Sequence, residues 1–453
     1  MHTQNRIIQM SALALGIAGA LAFGQAHASG FQLKENSVKA MGRAFAGSGV
    51  AAGDASVVVN NPAAMTQFNG TTIQADVTLI DINANFNGSG FSGVGTPVPS
   101  ATTGGDGGEA GGMTPVPAMS MIHKFHNGLT VGAMVSAPFG LKTEYDANWV
   151  GRYSAIKSEV KTVDLTLSAA YEVVPNHLSI GAGLVYERAE AELSKAVDFG
   201  TILFANPATR PLPFARPQLR DGKAVIKGDD TGIGWIAGVT YKPTENFIIG
   251  LSHRSEIDHK LEGTADWTVP GDVATIFASN PASASLFRDG RASAKLTTPS
   301  ITSLSVQWQV NDKLALMGDY AQTDWHSLRE VRVDFANPDA DSVEPFKWDD
   351  TRFWSLGAEY KLSDKFTLRG GYAYDETPTT FATRTPRLPD EDRRWYSLGL
   401  TWNMSDAVDI SAGYTRIQPD KPKIGVRDTT AHALYGSYDS NVNLWGISGQ
   451  YRF

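Results

Sequence analysis

The sequence predicts an all-β protein, a 14-stranded antiparallel transmembrane β-barrel, and three observations lead to that prediction. Apolar residues alternate with polar or small residues along most of the chain after residue 70, as expected for strands with two different faces. The alternating runs are about 10–20 residues long, whereas strands of globular proteins usually have about 5–6 residues. Short turns alternate with long loops rich in Gly, Pro and polar residues, which is typical of outer-membrane barrels with periplasmic short turns.

The composition excludes several function classes. The chain of 453 residues contains no Cys, 45 Gly and 10% aromatic residues. Without Cys, a disulfide scaffold, Cys-ligated zinc, thiol catalysis and iron–sulfur chemistry are excluded. The 47 acidic residues outnumber the 39 Lys and Arg residues, which argues against a nucleic-acid partner. A mean hydropathy of −0.19 argues against a helical transporter, because each spanning helix needs about 20 apolar residues.

Residues 1–28 have the three parts of a cleaved signal peptide. Arg6 supplies a positive start, residues 10–23 form an apolar run, and Ala26 and Ala28 form an Ala-x-Ala cleavage site. The apolar run is too short to remain as a membrane anchor. We therefore expect an exported chain whose mature part begins at residue 29.

Residues 29–69 lack sustained alternation and are rich in small residues. They contain the turn Asn61-Pro62 and are compatible with a short helix over residues 37–46. About 40 residues are too few for a domain of their own. Two interpretations stay open, a flexible periplasmic leader and a small N-terminal hatch, or plug, that fills the lumen of the barrel.

Residues 70–453 are predicted to form the barrel, with an even number of strands as a single-chain bacterial barrel requires. Aromatic residues near the short turns, such as Trp308, Tyr360, Trp402 and Phe247, fit an interfacial girdle. The last strand ends the chain on Phe453, and a terminal aromatic residue resembles the signal that the barrel assembly machinery reads. The predicted strands cover residues 70–87, 115–126, 129–145, 157–173, 177–198, 222–242, 246–268, 291–309, 312–335, 346–362, 366–384, 391–404, 406–424 and 434–453.

The chain resembles a known family at several motifs. Residues 29–33 (Ser-Gly-Phe-Gln-Leu), 42–47 (Gly-Arg-Ala-Phe-Ala-Gly) and 61–63 (Asn-Pro-Ala) are similar to the N-terminal hatch of the FadL-type long-chain fatty acid transporters of Gram-negative outer membranes. That family includes relatives that take up aromatic hydrocarbons. The resemblance covers essentially the whole mature chain and continues through residues 136–145, 247–255 and 388–390, with one departure at His253, where the family more often has Tyr.

The resemblance implies a path for the ligand. Ligand is captured outside, passes through an apolar tunnel and leaves sideways through a gap where the third strand kinks. The hatch and gate residues implied are Gly30, Phe31, Asn61, Pro62 and Ala63.

The residues of the third strand support the gap independently. Pro138 cannot donate a ladder hydrogen bond, and Gly140 adds neither side chain nor stiffness. Together with Phe139 they form the predicted lateral opening. The alternative is an ordinary strand end that runs into the loop over residues 143–153.

Recognition of a fatty acid carboxylate calls for a sheltered Lys or Arg. Strand parity places Lys195 and Lys347 on lumen-facing sets and Arg188 on the outer set. No basic residue of the family aligns cleanly with them, and solvated extracellular strand ends are an equal alternative for both lysines. A neutral hydrocarbon substrate therefore stays open.

The sequence thus predicts a monomeric outer-membrane channel, and not an enzyme, for passive uptake of long-chain fatty acids or similar hydrophobic molecules. Its expected surroundings are lipopolysaccharide and outer-membrane lipid, and we expect neither cofactor nor metal. The nearest alternative is uptake of aromatic hydrocarbons or alkanes by the same mechanism. A barrel enzyme such as a phospholipase or protease, and a general porin with a charged constriction, are more distant alternatives.

Overall fold

The structure is a computed structural model that describes residues 30–453. The predicted signal peptide, residues 1–28, lies outside the described residues. No helix in the described part combines the length and the hydropathy that a membrane span requires.

Within residues 30–453, fourteen antiparallel strands form one closed sheet. Each strand pairs with its neighbours in chain order, and the last strand pairs with the first from Thr72–Arg452 to Ser92–His432. The predicted fold class and strand number are confirmed. The strands are β1 (Thr71–Ser92), β2 (Gly112–Lys124), β3 (Thr130–Ser136 and Gly140–Glu144), β4 (Lys157–Val174), β5 (Leu178–Asp198), β6 (Asp221–Thr244), β7 (Phe247–Arg254 and Ile257–Thr268), β8 (Gly290–Thr298 and Ile301–Gln309), β9 (Leu314–Thr323 and Glu330–Phe335), β10 (Thr351–Lys361), β11 (Phe366–Asp375), β12 (Arg393–Asn403), β13 (Val408–Pro419) and β14 (His432–Arg452).

The two faces of the sheet have opposite polarity. Ile233 and Leu184 point outward with 74% and 66% of their surface exposed, as side chains that contact lipid must. Thr72, Gln74 and Thr78 of β1 point inward and are buried. The alternation seen in the sequence therefore separates a lipid-facing apolar surface from a polar interior.

Several strands are less regular than the sequence predicts. The predicted strands over residues 129–145, 246–268, 291–309 and 312–335 are each divided into two segments. Pro138 and Pro299 lie in two of the divisions, where they supply no ladder donor, and a short 3₁₀ turn, Trp325–Ser327, divides β9. The strand predicted over 366–384 ends at Asp375, and the one predicted over 346–362 begins at Thr351.

The loops at the end opposite the short turns carry structure that alternation cannot predict. Two helices, α3 (Phe199–Ala205) and α4 (Gly271–Ser279), follow β5 and β7. Their apolar side chains form one cluster that includes Phe199, Leu203 and Val273. Short strands Ser100–Ala101, Ser342–Pro345 and Lys423–Arg427 extend neighbouring loops.

The N-terminal segment, residues 30–68, is mostly buried. It contains α1 (Val38–Met41), α2 (Val57–Asn60) and a 3₁₀ helix, Pro62–Gln67. Helix α1 is shorter than the predicted 37–46 and begins where the Ser37 hydroxyl accepts the Ala40 N–H at 3.1 Å, an N-cap.

Glycines in the strands let the barrel wall approach this segment closely. A Cβ atom on Gly371 would lie 2.2 Å from the Arg43 carbonyl carbon, and one on Gly181 would lie 2.5 Å from the Ala63 nitrogen. Such distances are too short for any side chain. The high glycine content thus reflects backbone contact between the wall and the N-terminal segment, as well as turns.

Candidate transport site at the interrupted third strand

The wall of the barrel separates between β2 and β3. The two strands pair only from Met119–Val135 to Lys124–Thr130. Among the described residues, the second segment of β3 pairs with β4 and not with β2. Contact on the β2 side resumes where the Glu144 N–H donates to the Ala110 carbonyl at 3.1 Å.

The interruption of β3 lies inside this separation. Ala137, Pro138 and Phe139 connect its two segments. On the β4 side the ladder continues, because the Thr162 N–H donates to the Phe139 carbonyl at 2.9 Å. On the opposite side, where β2 has moved away, the backbone needs another partner.

The N-terminal segment supplies that partner. The Leu33 N–H donates to the Pro138 carbonyl at 2.6 Å, and the Gly140 N–H donates to the Phe31 carbonyl at 2.8 Å. An antiparallel bridge joins Gln32 to Phe139. Three residues of the segment thus act as a short strand against the inner edge of β3.

Aromatic side chains hold the start of this short strand. Phe31 is 3% exposed, and its ring centroid lies 4.8 Å from that of Trp325 and 5.8 Å from that of Phe139. The Gly30 N–H donates to the Asp390 carboxylate at 3.1 Å. Gly30 has φ +61°, and a Cβ there would lie 2.8 Å from the Trp325 ring, so this position requires glycine.

The Asn-Pro-Ala motif lies at another part of the wall. The Asn61 side chain accepts the Ala63 N–H and donates to the Val239 carbonyl, both at 3.2 Å. Pro62 opens the 3₁₀ helix, where its fixed φ is favourable. The structure thus separates the predicted gate residues into two groups, one at β3 and one at β5 and β6.

A cavity of about 100 Å³ lies where the N-terminal segment, the break in β3 and strands β6 to β10 meet. Its lining includes Leu33, Lys34, Pro138, Arg254 and Asp319. The cavity is therefore bounded on one side by the residues that pair with β3.

Comparison with known proteins identifies the family. Residues 19–453 match the family described as outer membrane protein transport protein (OMPP1/FadL/TodX). The chain belongs to this family. A long-chain fatty acid transport protein of Salmonella typhi is 30% identical over 399 residues, which cover 86% of this chain and 87% of the relative.

Solved structures agree with this assignment. A FadL homologue of Pseudomonas aeruginosa superimposes with a TM-score of 0.86 at 28% identity, covering 94% of this chain and all of the other. The toluene transporter TodX of P. putida shares the fold, with a TM-score of 0.66 at 17% identity and coverage of 91% and 98%. Membership of the family confirms the predicted transport function, the outer-membrane location and the prediction that the chain is not an enzyme.

The structure separates the two lysines proposed from strand parity. Lys195 points inward from β5, and its side chain forms no hydrogen bond or ion pair within residues 30–453. The placement of Lys347 on a lumen-facing strand is wrong, since this residue is exposed in the loop before β10 with φ +47°. The N–H groups of Phe346 and Lys347 both donate to the Arg329 carbonyl, so the chain turns here and the strand starts later.

A charge cluster buried in the FadL-type barrel was not predicted from the sequence. The Arg254 guanidinium donates to Asp164 at 2.7 Å and to Glu187 at 2.9 Å. Glu187 also contacts His259 at 3.0 Å and accepts the Thr298 hydroxyl at 2.7 Å. The signal was available for three of them, because strand parity places Asp164, Glu187 and Arg254 on inward faces.

A second group missed in the sequence lies near the outer end of the barrel. Ligand atoms of Asp324, His326 and Asp350 lie within 4.8 Å of one another. His326 Nδ1 and Asp350 are 2.6 Å apart, and Ser300 donates to Asp324 at 2.5 Å. The members of this group thus bind one another and their neighbours.

Proposed function

We propose that this transporter takes up long-chain fatty acids or similar hydrophobic molecules and releases them sideways between β2 and β3. The observation that supports this most directly is the pairing of residues 31–33 with the inner edge of the β3 break. If that short strand moves away, the separated wall becomes a path from the lumen to the membrane.

Capture from outside would begin at the helices α3 and α4. Their cluster brings together the rings of Phe199, Phe277 and Phe287, with centroids 5.0 to 5.9 Å apart. The nearby side chains of Ile202 and Leu219 stay exposed, at 36% and 52%. Exposed apolar side chains beside an apolar cluster offer a first contact to a hydrophobic ligand.

Uptake of a hydrophobic ligand requires no external source of energy. Removing each methylene group from water is worth about 0.8 kcal/mol, so a long acyl chain gains roughly 10 kcal/mol on reaching an apolar environment. The barrier to overcome is the polar lipopolysaccharide layer outside the bilayer. A passive tunnel with a lateral exit is sufficient.

In this proposal residues 29–69 are the hatch and residues 70–453 the barrel. Gly30 and Phe31 are the moving end, because they join the hatch to the β3 break. Asn61, Pro62 and Ala63 are the fixed end, because they contact the wall at β5 and β6. Pro138, Phe139 and Gly140 form the lateral opening.

The preferred substrate class follows the sequence relationships. The Salmonella relative, at 30% identity, is a long-chain fatty acid transport protein, so fatty acids are our first candidate. A neutral aromatic hydrocarbon is the second candidate, because both Nη atoms of Arg254, a cation at the lumen cavity, already bind carboxylates.

Growth of a deletion strain tests the two substrate classes. We expect the strain to lose growth on oleate as sole carbon source and to regain it when the chain is supplied on a plasmid. Loss of growth on toluene alone would contradict the fatty acid assignment, and unchanged growth on both would contradict hydrophobic uptake.

We further propose that the protein is a monomer surrounded by lipopolysaccharide and outer-membrane lipid, and that the barrel assembly machinery reads its last strand through Phe453. Within residues 30–453 the sheet closes through β14 and β1, and residues 31–33 pair with the β3 break where β2 has separated, which leaves little strand edge to pair with a second copy. Light scattering of the purified protein measures the oligomeric state, and a dimer mass would contradict the monomer.

A further inference from the structure

Lys34 places a positive charge inside the barrel without giving it a carboxylate partner. The residue lies in the N-terminal segment and lines the cavity behind the β3 break. Its Nζ atom lies 4.1 Å from the centroid of the Phe353 ring. Within residues 30–453 this atom forms neither a hydrogen bond nor an ion pair.

Neighbouring cations already have carboxylate partners. Lys39 of the same segment pairs with Asp409 at 2.9 Å, and Arg43 pairs with Asp54 at 3.2 Å. Arg254, which lines the same cavity, already binds the carboxyl groups of Asp164 and Glu187 through its two Nη atoms. Lys34 is therefore the cation of this cavity that is free to bind an anion.

Two nearby carboxylates accept backbone N–H groups and do not pair with the Lys34 ammonium group. Asp319 also lines the cavity, but its two oxygens accept the N–H groups of Gly47 and Ser48 at 3.1 Å each. Glu35 is turned to its own backbone and accepts the Lys34 N–H at 2.9 Å. The ammonium group keeps its three N–H donors available.

An unpaired ammonium in a partly buried site is unfavourable, and an incoming anion would remove that cost while forming charge-assisted hydrogen bonds. We propose that Lys34 binds the anionic head group of the transported molecule, so the substrate is a carboxylate-bearing amphiphile and not a neutral hydrocarbon. This inference rests on the proposed uptake of hydrophobic molecules and specifies the substrate class.

The position of Lys34 connects this site to the wall. It directly follows Leu33, whose N–H closes the hydrogen bond to Pro138. The head group would thus lie one residue from the short strand that covers the β3 break. The acyl chain would extend away from the cavity, which at about 100 Å³ holds the head group and not the whole molecule.

The test compares two ligands with the same chain, oleate and oleyl alcohol, on the purified full-length protein in detergent. We expect the wild type to bind oleate more tightly than oleyl alcohol. Lys34→Met should weaken oleate binding about 10- to 100-fold, the effect of one charge-assisted hydrogen bond, and leave oleyl alcohol binding within about twofold. Lys313→Met, which removes an exposed lysine in a short turn, is the matched control and should change neither.

The outcomes separate this inference from the proposed function. Equal oleate binding by wild type and Lys34→Met, or equal binding of both ligands by the wild type, overturns the role of Lys34 and leaves hydrophobic uptake standing. Failure of the wild type to bind either ligand overturns the uptake proposal itself.

A second comparison does not depend on the folding of the neutral variant. Burial lowers the pKa of Lys34, opposed by the carboxylates of Asp375, Asp319 and Glu35, while Arg254 is the other cation at the cavity. Oleate affinity of the wild type should therefore fall at alkaline pH as Lys34 loses its proton. Lys34→Arg keeps its charge and should keep its affinity over the same range, and parallel losses in both proteins would overturn the inference.

Discussion

Arg43 lies where the N-terminal segment meets the barrel wall, and its guanidinium group joins carboxylates from both. It is 1% exposed, and it contacts Asp54 of the segment at 3.2 Å and Glu359 of β10 at 2.9 Å. Desolvation makes such a pair a weak source of stability, but removal of one partner leaves a buried charge uncompensated. Arg43 thus fixes where the segment sits.

We expect Arg43→Met to loosen the N-terminal segment. The loss of one partner in a buried pair costs about 3–5 kcal/mol, which should raise the ion conductance of the protein in planar bilayers and expose the segment to protease. Arg188→Met is the control, because Arg188 is 53% exposed and its pairs with Glu190 and Asp229 lie at the surface. Equal conductance of the two variants would contradict the role of Arg43.

Glu35 predicts a dependence of stability on pH. Burial raises the pKa of its carboxyl group to about 7 from 4.5, against the opposing effects of nearby N–H groups and of Lys34 and Arg393. The folded state holds this proton more tightly than the unfolded state. Stability is therefore lost as the pH rises from the lower value through the higher one, by about 3 kcal/mol in total.

Glu35→Gln removes this titration. The variant should match the wild type near about pH 4 and exceed it in thermal stability near about pH 8, where the wild type has to keep a charged carboxylate buried. Thermal unfolding followed by gel mobility measures the difference. Glu245→Gln, in an exposed turn, should show no such trend, and a pH-independent gap for Glu35→Gln would contradict the assignment.

Single residues differ in how well their positions can be predicted from the sequence. The inward direction of Lys195 follows from parity within a strand that the structure confirms. The same reasoning gives the wrong position for Lys347, because apolar and polar residues already alternate before the strand begins at Thr351. The next residue, Trp348, is buried against Phe31. Lys34 lies outside any periodic element, so its cavity depends on tertiary contacts that a sequence pattern does not contain.

At the level of elements, the break in β3 was predictable and the other breaks were not. Pro138 identifies it directly, because proline removes a ladder donor. In β9 the sequence alternates on both sides of the Trp325–Ser327 turn, so the pattern alone reads as one strand. Helices α3 and α4 are also hidden, since each is short and lies in a loop with no strand periodicity.

Gly140→Val tests whether the β3 break works as the exit. A Cβ at Gly140 would lie 3.0 Å from Leu33 Cδ1, so a branched side chain crowds the contact between hatch and strand. We expect uptake of oleate by cells to fall several-fold while oleate binding by the purified protein changes little.

The control is Gly449→Val, where no atom of the described chain lies within 4 Å of the added Cβ. It should leave both uptake and binding unchanged. Full uptake by Gly140→Val would rule out an exit at this position.

The whole molecule depends on closure between the ends of the barrel sequence. The Phe453 N–H donates to the Thr71 carbonyl at 2.9 Å, continuing the pairing of β14 with β1. Alternation over long runs, short turns that alternate with long loops, and an even number of predicted strands were sufficient to predict this closed sheet from sequence. Its interior was less predictable, because inward positions carry mixed polar and small residues whose partners come from distant segments.

Phe453→Ala should reduce assembly more than stability. The ring is 61% exposed and contacts Tyr451 at a centroid distance of 4.5 Å, so its loss removes little packing. If the assembly machinery reads this residue, the folded fraction in outer membranes should fall several-fold, with little change in the melting temperature of the protein that does assemble. Phe381→Ala, at an exposed loop position, is the comparison, and equal folded fractions would contradict the proposed recognition.

The close contacts between strand glycines and the N-terminal segment restrict which segment can fit inside this barrel. Positions such as Gly181, Gly238 and Gly371 leave no room for a side chain between wall and segment. The inner surface of the wall therefore fits one particular backbone path of the segment. The segment precedes every strand in the chain. Pairing of β14 with β1 therefore encloses a segment of the same chain whose backbone path the wall glycines match. Transfer of this segment from a relative would require matching substitutions in the wall.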